Sequence, residues 1–307
     1  MNQVTLRFLA APTDLGYSGN VDAGRVLEWI DKSGYALAAA WSGRYCVTAY
    51  VGNVQFSHPV RPGQLVDVDA KLVHTGRSSM HIEVVVRSAD PRGGTAVEAT
   101  RCLVIFIAVD DDGRPTAVRD WVPTSVAEHE AESSAVRRIE LRAAIESAMA
   151  NQRYSDQGTG LQVTLRFLAA PNDINRGGKV HGGIVMRWID EAAHVVATRW
   201  TENQRNVAVY SGGIRFYRPI IIGDLVEVEA RLLHTGSSSM HISVHVRSGD
   251  PRQSQLLLTT HCLTVFVPLD GEGQAITCPP WTPATQEDLD LNAHAVALIG
   301  LREAVDQ

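Results

Sequence analysis

The chain has 307 residues, of which 45% are hydrophobic and 20% charged, and a formal net charge of −6. That is an ordinary globular composition, long enough for two domains of roughly 150 residues. The charge sign and the absence of any Lys/Arg block exclude nucleic acid as the main partner. No apolar run approaches the roughly 18 residues of a membrane span, so no membrane role is expected either. Met1-Asn-Gln-Val-Thr is not a signal peptide, and the expected location is cytoplasmic. Cys102 and Cys262 fall inside apolar strand patterns and read as small core residues rather than bridge partners.

In chain order, the first strand pattern (4–9) opens the string Val4-Thr-Leu-Arg-Phe-Leu-Ala-Ala-Pro12, which returns unchanged as residues 163–171. His74-Thr-Gly-Arg-Ser-Ser-Met-His-Ile82 returns as residues 234–242 with one substitution. The offset is 159 residues early and 160 later, which places a one-residue insertion between about 41 and 47. A period this long marks a duplicated domain, since solenoid repeats run at roughly 20–50 residues. Each copy continues with a polar Gly-rich loop and a helix (about 24–41 and 183–200). Alternating segments follow: Val226, Val228, Ala230 and Leu232 interleave with Glu227, Glu229 and Arg231. Such alternation is the pattern of antiparallel strands with one buried face. A last apolar strand (99–107; 259–267) ends at an Asp/Gly turn.

The second helix is apolar over most of its circumference (Ile184, Val185, Trp188, Ile189, Ala192, Ala193, Val195, Val196), so a sheet is expected to wrap it. The predicted architecture is α+β. Its units are an N-terminal domain (1–123), a linker with an amphipathic helix (124–160), a C-terminal domain (161–283) and a tail helix (284–307). Both tail helices read as packing elements.

The polar loop of the second copy carries the chemistry. It reads Asn172-Asp-Ile-Asn175-Arg-Gly-Gly-Lys-Val-His181-Gly182-Gly183, with Asp190 on the helix that follows. A helix start offers free N–H groups and a partial positive charge, which suits a developing oxyanion. Asp190 on an apolar helix is expensive unless paired or used. It lies seven residues after Gly183, about 10 Å along the axis, so one copy cannot bring its own carboxylate to its own helix start. Two copies with antiparallel helices can.

This loop, the Met186-x-x-x-Asp190 step, and downstream Phe216-Tyr-Arg-Pro219, Gly223-Asp224 and His234-Thr-Gly-Ser-Ser-Ser239 resemble the signature of hot-dog-fold acyl-CoA thioesterases. The resemblance spans about 4–123 and 163–283 and is stronger in the second copy. It implies two tandem hot-dog domains, each a long central helix wrapped by an antiparallel sheet. It also implies homo-oligomers, with tandem chains assembling into trimers. The implied activity is hydrolysis of an acyl-CoA substrate by an Asn from one unit and an Asp from the other, with no cofactor or metal. The family's Asn falls on Asn175 but on Gly16 in the first copy, and the His-Gly-Gly falls on His181-Gly182-Gly183 but on Asp22-Ala23-Gly24. The helical Asp is present twice, as Asp31 and Asp190. Asp31 with the second copy's loop therefore makes one complete site, and Gly16 with Asp190 makes an impaired counterpart.

In the expected reaction Asp31 is general base on water, with direct nucleophilic attack as the lesser alternative, Asn175 holds water or the thioester carbonyl, and the N–H near Gly183 stabilises the oxyanion. The acyl chain is expected between the helices, past Trp29, Met186 and Trp188. His181 and Gly182 are assigned to substrate binding, and Arg215, Arg218, Arg247 and Arg252 are candidates for the coenzyme A phosphates. The first copy has Gln55 and His58 opposite Arg215 and Arg218.

Plainer readings remain beside these. A helical Asp can simply be ion-paired, His181 can be a structural loop residue, and the helix Trp and Met residues are core residues first. A serine hydrolase is excluded because no Gly-x-Ser-x-Gly occurs, and nucleotide-binding motifs are absent. The functional alternative is a catalytically weak acyl-CoA binding protein.

Overall fold

A computed structural model describes residues 1–155 and 157–303. The expected continuation of the tail helix toward 305 and the end of the last unit at 307 lie outside the described residues. The first copy comprises β1 (Gln3–Leu9), α1 (Ala23–Ser42), β2 (Tyr45–Val51), β3 (Val54–Phe56), β4 (Leu65–Thr75), β5 (Ser79–Ala89) and β6 (Val97–Val109). After α2 (Val126–Ala150), the second copy repeats the order. It has β7 (Gln162–Leu168), α3 (Gly182–Thr201), β8 (Asn206–Phe216), β9 (Leu225–Thr235), β10 (Met240–Gly249), β11 (Leu257–Pro268) and finally α4 (Gln286–Glu303).

The two copies share one antiparallel sheet in the order β1-β4-β5-β6-β2-β8-β11-β10-β9-β7. The seam is made by Tyr50 and Val51 opposite Arg215 and Ile214, and β3 bridges β6 and β8. The sheet wraps α1 and α3, as the all-round apolar pattern requires. Val185, Met186, Trp188, Ile189, Ala192, Ala193, Val196 and Ala197 are buried. At about 1.5–3 kcal/mol per large apolar side chain, this shared core is the main stabilising term. Phe8 stacks on Trp29 at 5.3 Å and Phe167 meets Trp188 edge-on at 4.8 Å, so each edge strand is pinned to its helix by an equivalent aromatic pair in a different geometry.

The helices run antiparallel and touch through their backbones. A Cβ on Gly24 would sit 2.9 Å from the Arg187 Cα, and one on Gly183 would sit 2.8 Å from the Glu28 Cα. Only glycine allows that approach. The sheet's outer face is covered by the tail helices: Ala135 of α2 packs on Val73 and Leu103, and Leu291, Ala295 and Leu298 of α4 pack on Leu233 and Leu263. Ser125 caps α2 by accepting from the Glu128 N–H. Among the described residues, no helix is long and apolar enough to cross a membrane.

Candidate active site

The antiparallel crossing brings the Asp of one helix to the start of the other. Asp31 is 1% exposed, and its carboxylate is satisfied from three directions. Oδ2 accepts the Gly183 N–H at 2.8 Å and lies 2.7 Å from His181 Nδ1, and Oδ1 accepts the Thr48 hydroxyl at 2.6 Å. Nδ1 this close to a carboxylate carries the proton, so the Gly183 N–H, also 3.2 Å from Nδ1, has the carboxylate as its acceptor. A buried carboxylate needs this degree of pairing to stay in place. Burial pulls the His181 pKa down, but the hydrogen bond and charge of Asp31 outweigh it, and the net shift is upward.

Asp31, Thr48, Asn175, His181 and Gly182 line one cavity of about 460 Å³. The Gly183 amide, assigned from sequence to the oxyanion, is instead taken by Asp31. Gly182 is the first residue of α3, so its N–H has no intrahelical partner, and among the described residues none is supplied from elsewhere. Gly182 itself lines the cavity. Asn175 organises its own loop: Oδ1 accepts from Gly177 and Lys179 N–H at 2.8 and 3.2 Å, and Nδ2 donates to the Val180 carbonyl at 3.4 Å. Tyr45 covers this loop, with its ring where a Cβ on Gly177 would go.

The cations divide. Arg218 lines the cavity together with Arg176 and Lys179, which the sequence reading missed. Arg215 does not line it; it pairs with Glu146 on α2 and lies over the Tyr217 ring. Arg247 pairs with Glu229 at 3.2 Å, and Arg252 with its neighbour Asp250. The acyl path past the helix residues is also corrected. Trp29, Met186 and Trp188 are 2%, 0% and 6% exposed and belong to the core, not the cavity wall. Tyr35, Cys46, Val47, Ile107 and Phe216 line the cavity instead. Thr48 had one legible signal: it is a polar strand residue whose repeat equivalent, Ala208, is apolar.

The counterpart site keeps the frame and replaces the side chains around it. Asp190 Oδ2 accepts the Gly24 N–H at 3.0 Å, the same cross-copy bond. Asp22 stands where His181 does, Ala208 where Thr48 does, and Gly16 where Asn175 does. A side chain at Gly16 would collide with Asp22, whose Oδ1 lies 1.5 Å from the Cβ position. Burial and the charge of Asp22 push the Asp190 pKa up to about 7, and burial and Glu191 push Asp22 up to about 6. Among the described residues no group of three His, Cys, Asp or Glu side chains could hold a metal ion.

A duplicated α+β unit, each copy a helix wrapped by an antiparallel sheet, defines a class, the tandem hot-dog protein. Comparison with known proteins supplies the family. The sequence profile of the Thioesterase superfamily matches residues 18–95 and 177–255, over half of the chain. The chain belongs to that superfamily and is a thioester hydrolase. It is 25% identical over 306 residues to the cytosolic acyl coenzyme A thioester hydrolase of Mus musculus, covering 93% of this chain and 79% of that one. It is 33% identical over 116 residues to the acyl-CoA thioester hydrolase YciA of Salmonella typhimurium, covering 37% of this chain and 87% of that one. A putative oleoyl thioesterase from Lactobacillus plantarum shares the fold, with a TM-score of 0.60 at 10% identity, covering 87% of this chain and 97% of that one.

Proposed function

We propose that the chain hydrolyses acyl-CoA thioesters to the free acid and coenzyme A at a single site, built from the second copy's loop with Asp31 and Thr48 of the first. The observation that carries this reading is the Asp31 carboxylate bonded to the start of α3 beside an open cavity. Asp31 takes the proton from water as its oxygen attacks the thioester carbonyl. The Gly182 N–H, at the positive end of α3, receives the oxyanion. The bonds from Thr48, His181 and Gly183 hold the carboxylate at the angle that general-base attack needs. The Asn175 carboxamide, braced by its loop, orients the water or the carbonyl. Collapse of the tetrahedral intermediate breaks the C–S bond and releases the coenzyme A thiolate, which takes up a proton. Arg176, Lys179 and Arg218 supply positive charge for the phosphates. Asp190 belongs to the impaired counterpart.

The named acyl-CoA hydrolases at about 25% identity support the substrate class, and the word cytosolic in their names supports a cytoplasmic location. Trimeric assembly of tandem chains rests on the sequence resemblance. Thiol release from acyl-CoAs of graded length, in wild type, Asn175→Ala, Asp31→Asn and Asp190→Asn, tests the reading. Turnover should vanish in the Asp31 variant and persist in the Asp190 variant. Binding of acyl-CoA without thiol release from wild type would instead establish the binding-protein alternative.

A further inference from the structure

The sheet's outer face differs between the copies. In the second copy α4 packs directly on the strands. In the first, α2 touches β6 through Ala135 on Leu103 but also encloses, against β2, β3 and β6, a cavity of about 250 Å³ that shares no lining residue with the catalytic one. We propose that this cavity binds the phosphate group of a small anionic ligand, gripped by Arg138 and Arg142 of α2 and Arg101 of β6.

Three observations converge on it. Arg138 and Arg142 are four residues apart, so they lie on one helix face, where like charges destabilise an empty helix. Arg138 has no carboxylate within ion-pair distance among the described residues. The buried Nε of Arg142 makes no hydrogen bond, although Glu146 lies 3.3 Å away, and its guanidinium sits 5.2 Å from the Tyr50 ring centroid. The second copy shows the alternative: the positions of Arg138 and Arg101 are Leu298 and His261, and Leu298 closes against Leu263. Arg142 recurs as Arg302, so it is Arg138 and Arg101 that this helix-on-sheet contact does not require.

Existing pairs do not forbid an anion. Arg101 touches Glu98 at 3.0 Å and Glu83 at 3.1 Å, with side chains between about a quarter and two-fifths exposed. Ion pairs this exposed contribute little, whereas guanidinium forks engage phosphate oxygens bidentately. β2 touches both sites. A bulge between Thr48 and Tyr50 lets Thr48 face Asp31 while Tyr50 lies beneath Arg142.

Isothermal titration of the full chain with inorganic phosphate and with phenyl phosphate, at fixed ionic strength, tests the proposal. Saturable binding of either is expected, and the stronger of the two tells whether the free ion or a phosphate ester is the better ligand. Arg138→Leu, which installs the second copy's residue, should weaken it about tenfold or more. Arg142→Gln should weaken it as well, with circular dichroism confirming that both variants fold. Arg218→Ala, at the other cavity, should leave it unchanged. Absence of saturable binding by either anion overturns the proposal, as does binding that survives Arg138→Leu and Arg142→Gln but is lost in Arg218→Ala.

Discussion

The two sites at the crossing of α1 and α3 share a backbone frame and differ at three positions around the carboxylate. Both contain an Asp that accepts a helix-start N–H from the other copy. Around Asp31 the neighbours are donors: Thr48, His181 and an N–H. Around Asp190 they are Ala208 and Asp22, one inert and one of like charge. The same carboxylate is thus oriented by donors in one site and burdened by a like charge in the other. The cross-copy bond is common to both copies, and what surrounds it differs.

The sharpest way to break this comparison is activity. Asp31→Asn should lower kcat for thiol release by about 10²–10⁴, while Asp190→Asn stays within a few-fold of wild type. Equal losses would mean that the two sites are equivalent.

Stability against pH reads the same contrast. An acid whose folded pKa is raised binds more protons folded than unfolded, so stability falls as pH rises from about 4 to about 7. Asp190→Asn keeps the acceptor for Gly24 and removes that loss. Its unfolding free energy from a denaturant melt should exceed wild type at pH 8 by roughly 2–4 kcal/mol, with the gain fading toward pH 4.

The outer faces differ in the opposite sense. Burial holds His245 well below its ordinary value and His261 down at about 3, and their rings stack at 3.9 Å where the first copy has Val85 and Arg101. Bases with lowered folded pKa values bind fewer protons folded than unfolded, so stability is lost as pH falls below about 6.5. Replacing His245 by the first copy's valine should flatten that acid limb, recovering up to about 2 kcal/mol at pH 5 in a chemical melt.

Smaller effects follow. Thr48→Val should cut kcat about tenfold with little change in KM, because it frees one carboxylate oxygen without touching the cavity's cations. A change confined to KM would assign Thr48 to substrate binding. Glu202 ends α3 with a φ of 53°, a left-handed conformation that Gly43 provides at the end of α1. Glu202→Gly should raise stability by about 1 kcal/mol in thermal melts, with no effect on turnover.

The sequence by itself determined the duplication, the element order and the pairing logic. Repeated strings fix the period, alternation fixes strand faces, and the 10 Å between Gly183 and Asp190 requires the second copy. It also exposed the loss of Asn at Gly16 and of His at Asp22. The tertiary structure alone decided which amide serves which oxygen, because Gly182 and Gly183 are adjacent in sequence and only helix crossing turns one toward Asp31. It decided that Trp29, Met186 and Trp188 are core, since helical period cannot tell a core wall from a cavity wall. It also sent Arg215 to Glu146 while Arg218, three residues on, reached the cavity. A long flexible side chain's destination depends on which element packs over its strand, and that partner, α2, lies about 70 residues away in the chain.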